Sequence, residues 1–306
     1  MPELDRKPLR IGTRASALAL AQAAAASAPL GEFELVEITT SGDRGEAGDK
    51  SRFVDRLEAA LREESIDLAV HSAKDLPGEN PAGLEIIATG PREDPTDAIV
   101  TRADAKTLDE LPKGSRVGTS SLRRRAQLLA RRPDLVPVEV RGNVDTRLDK
   151  LAAGEVDALI LASAGLKRLG RSDEISFSLD PHTFTPSPGQ GTVAFQSRAD
   201  DPAGERAATV DDRTSHLELR CERTAARRLG ASCDSSVGIL AICEGDLIEA
   251  RAWCGLPDGS DWISDSVEGD SSDPVALGER VAERLLSAGA GEILERSAAM
   301  VAGEGS

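Results

Sequence analysis

One pattern limits the fold more than any other: a short apolar strand that runs directly into a turn of Gly, Thr, Ser and Arg, where a helix begins. It first occurs at Leu9 to Thr13, where Arg14 sits in the turn and Ser16 is placed to N-cap an Ala-rich helix reaching about Ser27. It returns at Arg116 to Gly118, followed by Thr119, Ser120 and Ser121 and a helix to Arg131. Strand and helix then keep alternating: Val136 to Val140, Val144 to Ala153, Asp157 to Ala162, Ala164 to Leu169. Alternation of this kind predicts a mainly parallel sheet with helices on its faces. Ligands of open α/β sheets lie beyond the carboxyl ends of the strands, where these turns are.

At 306 residues the chain can form two or three domains with separate cores. Aromatic residues are 2% and Tyr is absent, so those cores must be built from Ala, Val, Leu and Ile. From about Thr214 the order of elements changes. A helix at His216 to Leu229 precedes strand-like runs at Val237 to Ile242, Leu247 to Ala252 and Trp262 to Val267, and amphipathic helices at Pro274 to Ser287 and Gly289 to Val301 end the chain. Strands followed by helices predict a separate α+β domain.

The second copy of the turn lies in a cationic block. Between Lys113 and Arg171 there are 13 Lys and Arg against 6 Asp and Glu, in a chain whose formal net charge is -16. A positive island on an acidic protein points to an anionic ligand. The opening turn of a helix offers unpaired backbone N–H groups, and the hydroxyls of Thr119, Ser120 and Ser121 add donors. Arg123 and Arg124 follow one turn in, while Arg141, Gly142 and Arg147 belong to a further strand-to-helix turn, RGNVDTR. Guanidinium groups grip carboxylate or phosphate with paired hydrogen bonds. The competing account is a solvated helix face balanced by Asp and Glu.

A buried strand at Asp67 to Val70 delivers His71, Ser72, Lys74 and Asp75 in HSAKDLP, stopped by Pro77. A carboxylate beside an ammonium there suits a binding crevice, and a surface turn with an incidental ion pair is the alternative. Ser41 to Ser51 is Gly-rich and charged and reads as a surface loop suited to a lid. Of the four cysteines, Cys243 in GILAIC reads as a small core hydrophobe, whereas Cys233 lies in the polar loop GASCDSSVG. No CxxC or zinc spacing occurs, and with three His no metal site is expected.

The start, MPELDRKPLRIGTR, lacks an apolar h-region, and no stretch approaches the roughly 18 apolar residues that a membrane helix requires, so a cytoplasmic protein without membrane contact is expected. Scarce aromatics and overall acidity speak against nucleic acid as a partner. With 7 Lys and 53 acidic residues, the surface has the character expected of adaptation to concentrated salt.

LRIGTRASALALAQA, HSAKDLP, EDPTDAIV, VGTSSLRRRAQL, VEVRGNVDTRLDKL, AGLKRLG, PGQGTV and the GASC loop occur in the order and near the spacing found in porphobilinogen deaminases (hydroxymethylbilane synthases), and the chain resembles that family over almost its whole length. The resemblance implies two α/β domains like the type II periplasmic binding proteins around a cleft, plus a smaller α+β C-terminal domain. It divides the chain at 1–96 with 190–213, 97–189, and 214–306. It implies a transferase that joins four porphobilinogen molecules head to tail, losing ammonia each time, to give hydroxymethylbilane. Growth begins on a dipyrromethane cofactor held by a thioether to Cys233. Asp75 matches the catalytic aspartate. Arg14, Ser16, Lys74, Thr119, Ser120, Ser121, Arg123, Arg124, Arg141, Arg147 and Arg168 match residues that hold the carboxylates of cofactor and growing chain, Ser72 and Gly142 match further cofactor- and substrate-binding positions, and Gln190 and Gly191 match polar contacts at the domain junction. A monomer is implied, with product passed to uroporphyrinogen-III synthase. This chain departs from the family pattern at AGDKSRFVDRLE, around Lys50, and in having Asp234, Ser235 and Ser236 after the cysteine. A cytoplasmic two-lobed binding protein for a small carboxylate is the competing class, and it gives no role to Cys233 or Asp75.

Overall fold

The computed structural model describes residues 7–40, 54–231 and 235–304. The chain divides into two compact units, 1–92 with 192–216 and 93–191 with 217–306. The first begins with β1 (Leu9–Arg14), α1 (Ala17–Ser27), β2 (Phe33–Ile38), α2 (Asp55–Arg62), β3 (Leu68–Ser72) and β4 (Leu84–Thr89). In the second come β5 (Asp97–Thr101), β6 (Arg116–Gly118), α3 (Leu122–Arg131), β7 (Val136–Val138), α4 (Val144–Ala152), β8 (Ala158–Ala162), α5 (Ser163–Arg168) and β9 (Phe177–Ser178). The chain then adds β10 (Val193–Arg198) and α6 (Pro202–Ala207) to the first unit.

The two five-stranded sheets share one topology, β2-β1-β3-β10-β4 and β7-β6-β8-β5-β9. β1 runs parallel to β2 and β3, and β6 to β7 and β8. In each sheet the fourth position is reversed: β10 is antiparallel to β3 and β4, and β5 to β8 and β9. Four of the five strands in each sheet therefore run one way, as the mainly parallel expectation has it, and one runs against them. Hydrophobic periodicity reports that a segment is a strand, not which way it runs.

Alternation along the strands builds the cores. In β8, Ala158 and Ile160 join Ile99, Val117, Leu128 and Phe184 on one face. Leu159 and Leu161 join Ala98, Val100, Leu148 and Leu166 on the other. A strand buried on both faces must be apolar throughout, as ALILA is. In the first unit, Ile11, Leu68, Val70 and Phe195 share one core, and Leu57, Leu61, Ile66 and Ala69 another. Burial of each such Leu or Ile contributes about 1.5–3 kcal/mol.

After α7 (Arg213–Arg228) the antiparallel meander of β11 (Val237–Glu244), β12 (Leu247–Gly255) and β13 (Trp262–Asp270) precedes α8 (Pro274–Ser287) and α9 (Ala290–Glu304). Ile239, Ala250, Ala252 and Val267 pack with Cys221 and Ala225 of α7, Val281 and Leu285 of α8 and Ile293 of α9. This is a smaller α+β domain with its own core. Within the second unit, Ile239 N donates to Pro186 O at 2.9 Å, and a Cβ on Gly238 would lie 2.5 Å from Thr185 O, so the segment around Thr185 packs backbone to backbone on β11. Gly259, at φ 72°, would place a Cβ 2.3 Å from Ala130 N, so the turn after β12 rests on the backbone of α3. Among the described residues no helix is long and apolar enough to cross a membrane.

Candidate active site

In the first unit, β1 and β3 are parallel neighbours, so their carboxyl ends emerge side by side. Arg14 ends β1, Asp75 lies in the 3-10 turn Ala73–Asp75 after β3, and Arg14 Nη1 stands 3.7 Å from Asp75 Oδ2. Both side chains keep about a fifth to a quarter of their exposure, 24% and 20%, so the pair can meet a ligand. Ser16 does cap α1, its Oγ accepting from Ala19 N at 3.3 Å. Ser72 Oγ donates to Gln22 Oε1 at 2.8 Å, and Lys74 is half-buried beside Asp75.

In the second unit, Ser121 caps α3 through Arg124 N, and Thr119 Oγ1 accepts from Ser121 N at 3.2 Å. Ser120 is exposed and accepts from Arg147 Nη2 at 3.3 Å. Arg147 Nε donates to Gly142 O at 2.9 Å, and Gly142 holds φ 121°, a conformation that suits glycine. Asn143 caps α4 by accepting from Thr146 N at 2.8 Å, which fixes the turn that carries Arg147. Arg168, at the end of α5, donates to Gly191 O at 2.5 Å.

Arg123 and Arg124 are placed differently from Arg147. Both are buried and turned onto Asp97, which has no exposure. Arg123 Nη1 donates to Asp97 Oδ2 at 2.7 Å and to Thr185 O at 2.8 Å. Arg124 Nη2 and Nε donate to Asp97 Oδ1 at 2.7 and 3.0 Å, and Nη1 to Ile160 O at 3.0 Å. Gln190 Nε2 completes the cluster at 3.0 Å from Asp97 Oδ1. Burial alone would raise the Asp97 carboxyl, but the two guanidinium charges hold it well below the usual carboxylate range. Gln127 locks the same corner, accepting from Thr185 N at 2.7 Å and donating to Thr185 O at 2.9 Å.

The sequence missed Asp97, Gln127 and Thr185. The available signal for Asp97 was an acid opening an apolar strand, DAIV, where a charge survives only if paired. Arg141 is not gathered with the rest: its side chain is 78% exposed and bonds to Glu139 at 2.7 Å. Cys233 and Lys50 lie outside the described residues.

Two arginines carry the electrostatics of the site. Arg147 is half-buried, has no carboxylate partner among the described residues, and is pushed down to about 10 by burial and by the Arg124 charge. Burial likewise lowers Arg168, with Glu93 opposing. Cations held this way are relieved by an incoming anion. The buried Arg123 Nε also has no acceptor among the described residues. Hydroxyl, guanidinium and helix-start N–H donors together fit a group bearing several carboxylates, as a dipyrromethane does. Among the described cysteines, burial pushes Cys221 and Cys254 up to about 12, which leaves neither thiolate available near neutral pH.

Fold and site define an α/β protein with two five-stranded sheets and a smaller α+β domain, an ion-paired aspartate at a strand end of one sheet and a group of arginine and hydroxyl donors, suited to carboxylates, at the other. The family description "Porphobilinogen deaminase, dipyromethane cofactor binding domain" matches residues 9–206, and "Porphobilinogen deaminase, C-terminal domain" matches 216–287. The chain belongs to the porphobilinogen deaminase family. It is 45% identical over 302 residues to the porphobilinogen deaminase of Roseiflexus sp. (strain RS-1), covering 94% of this chain and 99% of that protein. It is 44% identical over 305 residues to that of Pelotomaculum thermopropionicum, covering 95% and 97%. Among solved structures, a periplasmic sulfonate-binding protein from Methylobacillus flagellatus KT is 17% identical at a TM-score of 0.41, over 70% of this chain and 68% of that one.

Proposed function

We propose that this chain is a hydroxymethylbilane synthase, a transferase that joins four porphobilinogen molecules with loss of four ammonia molecules and uptake of one water, which supplies the hydroxyl of the released chain. The observation that carries this reading is the pair of half-buried arginines, Arg147 and Arg168, that have no carboxylate partner among the described residues, in a family defined by a dipyrromethane-binding domain. Each pyrrole brings an acetate and a propionate, so a lengthening chain delivers the anions that this wall requires.

Dipyrromethane, held through the Cys233 thiol, supplies the free pyrrole carbon on which the first porphobilinogen is added. Arg147, Arg168, Ser120, Thr119 and Ser121 hold carboxylates, with Arg141 an exposed outer contact and Gly142, Gln190 and Gly191 shaping the wall. Arg123 and Arg124 act from beneath: fixed on Asp97, they place the start of α3 and set its positive potential. Asp75, oriented by Arg14 and flanked by Ser72, Lys74 and Ser16, faces the reacting centre. Loss of ammonia leaves porphobilinogen's methylene carbon cationic, and attack by the next pyrrole spreads positive charge onto ring nitrogen. A fixed carboxylate within hydrogen-bond reach of those N–H groups accepts from them and stabilises both as charge develops.

The assignment extends to features supported by composition and family. Boundaries at 1–96 with 190–213, 97–189 and 214–306 are supported by the presence of three sheets and by the two family segments. A cytoplasmic monomer that works in concentrated salt suits the acidic composition, and its unstable linear product calls for immediate transfer to uroporphyrinogen-III synthase. The test is incubation of the purified chain with porphobilinogen. Four ammonia released per hydroxymethylbilane formed is the expected result. Saturable binding with no ammonia release would establish the binding-protein alternative instead.

A further inference from the structure

A cavity of about 600 Å³ lies within the second unit between α3, the segment 177–185 and the β12–β13 sheet. That volume falls within the roughly 300–1,000 Å³ of small-molecule sites. The chain has only seven aromatic residues, two Trp and five Phe, and four of them, Phe177, Phe184, Trp253 and Trp262, line this one cavity. Trp253 is 5% exposed and forms the floor; Trp262 stacks on it at 6.4 Å with 22° between the planes and remains 49% exposed. Gly255 makes room for the stack, since a Cβ there would lie 2.5 Å from the Trp253 ring. A large aromatic half in water on an aromatic floor is a stacking platform rather than core packing.

Two cations line the same cavity: Lys106, whose Nζ stands 3.6 Å from Asp104 Oδ1, and Arg131. Arg131, the last residue of α3, donates from Nη2 to Thr183 O and makes no ion pair within 4.0 Å of a carboxylate among the described residues. Four of its five N–H donors thus remain for a ligand, enough for a bidentate carboxylate. Asp109 and Asp180 also line the cavity, and their attraction does not offset the desolvation that lowers Arg131. We propose that this cavity binds a small planar aromatic carboxylate, its ring stacked on Trp262 and its carboxylate on Arg131. The site is separate from the Arg147 wall and goes beyond the synthase activity.

The two tryptophans provide the readout. In ¹⁵N-labelled full-length protein they give the only two indole N–H signals, both from this cavity. Titration with 2-naphthoate should shift both saturably. Cyclohexanecarboxylate, anionic but not planar, and 2-naphthylmethylammonium, planar but cationic, should each bind at least tenfold more weakly. Arg131→Gln should weaken naphthoate tenfold or more, and so should Trp262→Leu, whose exposed position leaves the fold intact. Arg147→Leu should leave the titration unchanged. Equal binding of the three probes, no saturable shift, unchanged affinity in both cavity variants, or loss of binding in Arg147→Leu would each overturn the proposal.

Discussion

A carboxylate with no exposure stays ionised only where its neighbours replace the hydration it has lost, and Asp97 has two guanidinium groups and an amide within 3.0 Å. Asp97→Asn leaves Arg123 and Arg124 buried without their counter-charge and should destabilise the protein by about 3–5 kcal/mol at pH 7, read from urea denaturation. The pH dependence has a definite sign. The folded carboxyl titrates below its unfolded value of about 3.9, so its contribution is complete above that value and is lost as pH falls through the folded one. The stability gap between parent and Asp97→Asn should therefore narrow below about pH 4; a gap constant down to pH 2.5 would contradict the pairing. Asp75 calls for a different variant readout. Asp75→Asn keeps size and an acceptor but not the charge, and should slow single-turnover consumption of porphobilinogen by about 100-fold to 1000-fold while carboxylate binding persists. Turnover near that of the parent would remove Asp75 from the chemistry. These residues also mark where sequence reading stops. The arginines of α3 were legible as a cationic cluster, but not that two of them face inward, because the acid that turns them lies far away along the chain in β5.

At the scale of elements, the repeated strand-to-helix turn was legible because each strand is a short apolar run and each helix opens on a capping hydroxyl. Ser16 and Ser121 both act as N-caps. The glycine in each copy has a packing reason: a Cβ on Gly12 would lie 2.4 Å from Ile66 Cδ1, and one on Gly118 would lie 2.7 Å from Leu159 Cδ2 and 2.8 Å from Val140 Cγ2. Gly118→Ala should therefore overpack the sheet at the mouth of the arginine wall and cost roughly 1–3 kcal/mol, seen as a lower urea midpoint with unchanged slope. No loss would mean that the neighbouring side chains yield freely. Two features were not legible. β9 is two residues long, too short for any periodicity to register, and β7 stops at Val138 although Val140 continues the alternation of its strand. The reversed strands β5 and β10 read like their neighbours, because burial on both faces demands the same residues in either direction.

At the scale of the whole molecule, the change of element order near Thr214 was legible and the C-terminal meander follows it, whereas the placement of Asp75 and Arg147 in different units is visible only in the structure. A net charge of -16 makes self-repulsion a whole-chain property. Screening lengths grow from about 3 Å at 1 M salt to about 30 Å at 0.01 M, so the melting temperature should fall on dilution; an unchanged or rising value would argue against salt adaptation. The central claim is that this chain builds hydroxymethylbilane on a dipyrrole it carries itself, and intact mass spectrometry of the purified protein tests it most directly. The parent, Cys221→Ala, Cys243→Ala and Cys254→Ala should each show a covalent increment equal to a dipyrromethane, and Cys233→Ala should show none. An unmodified parent, or an increment that survives in Cys233→Ala, would contradict it.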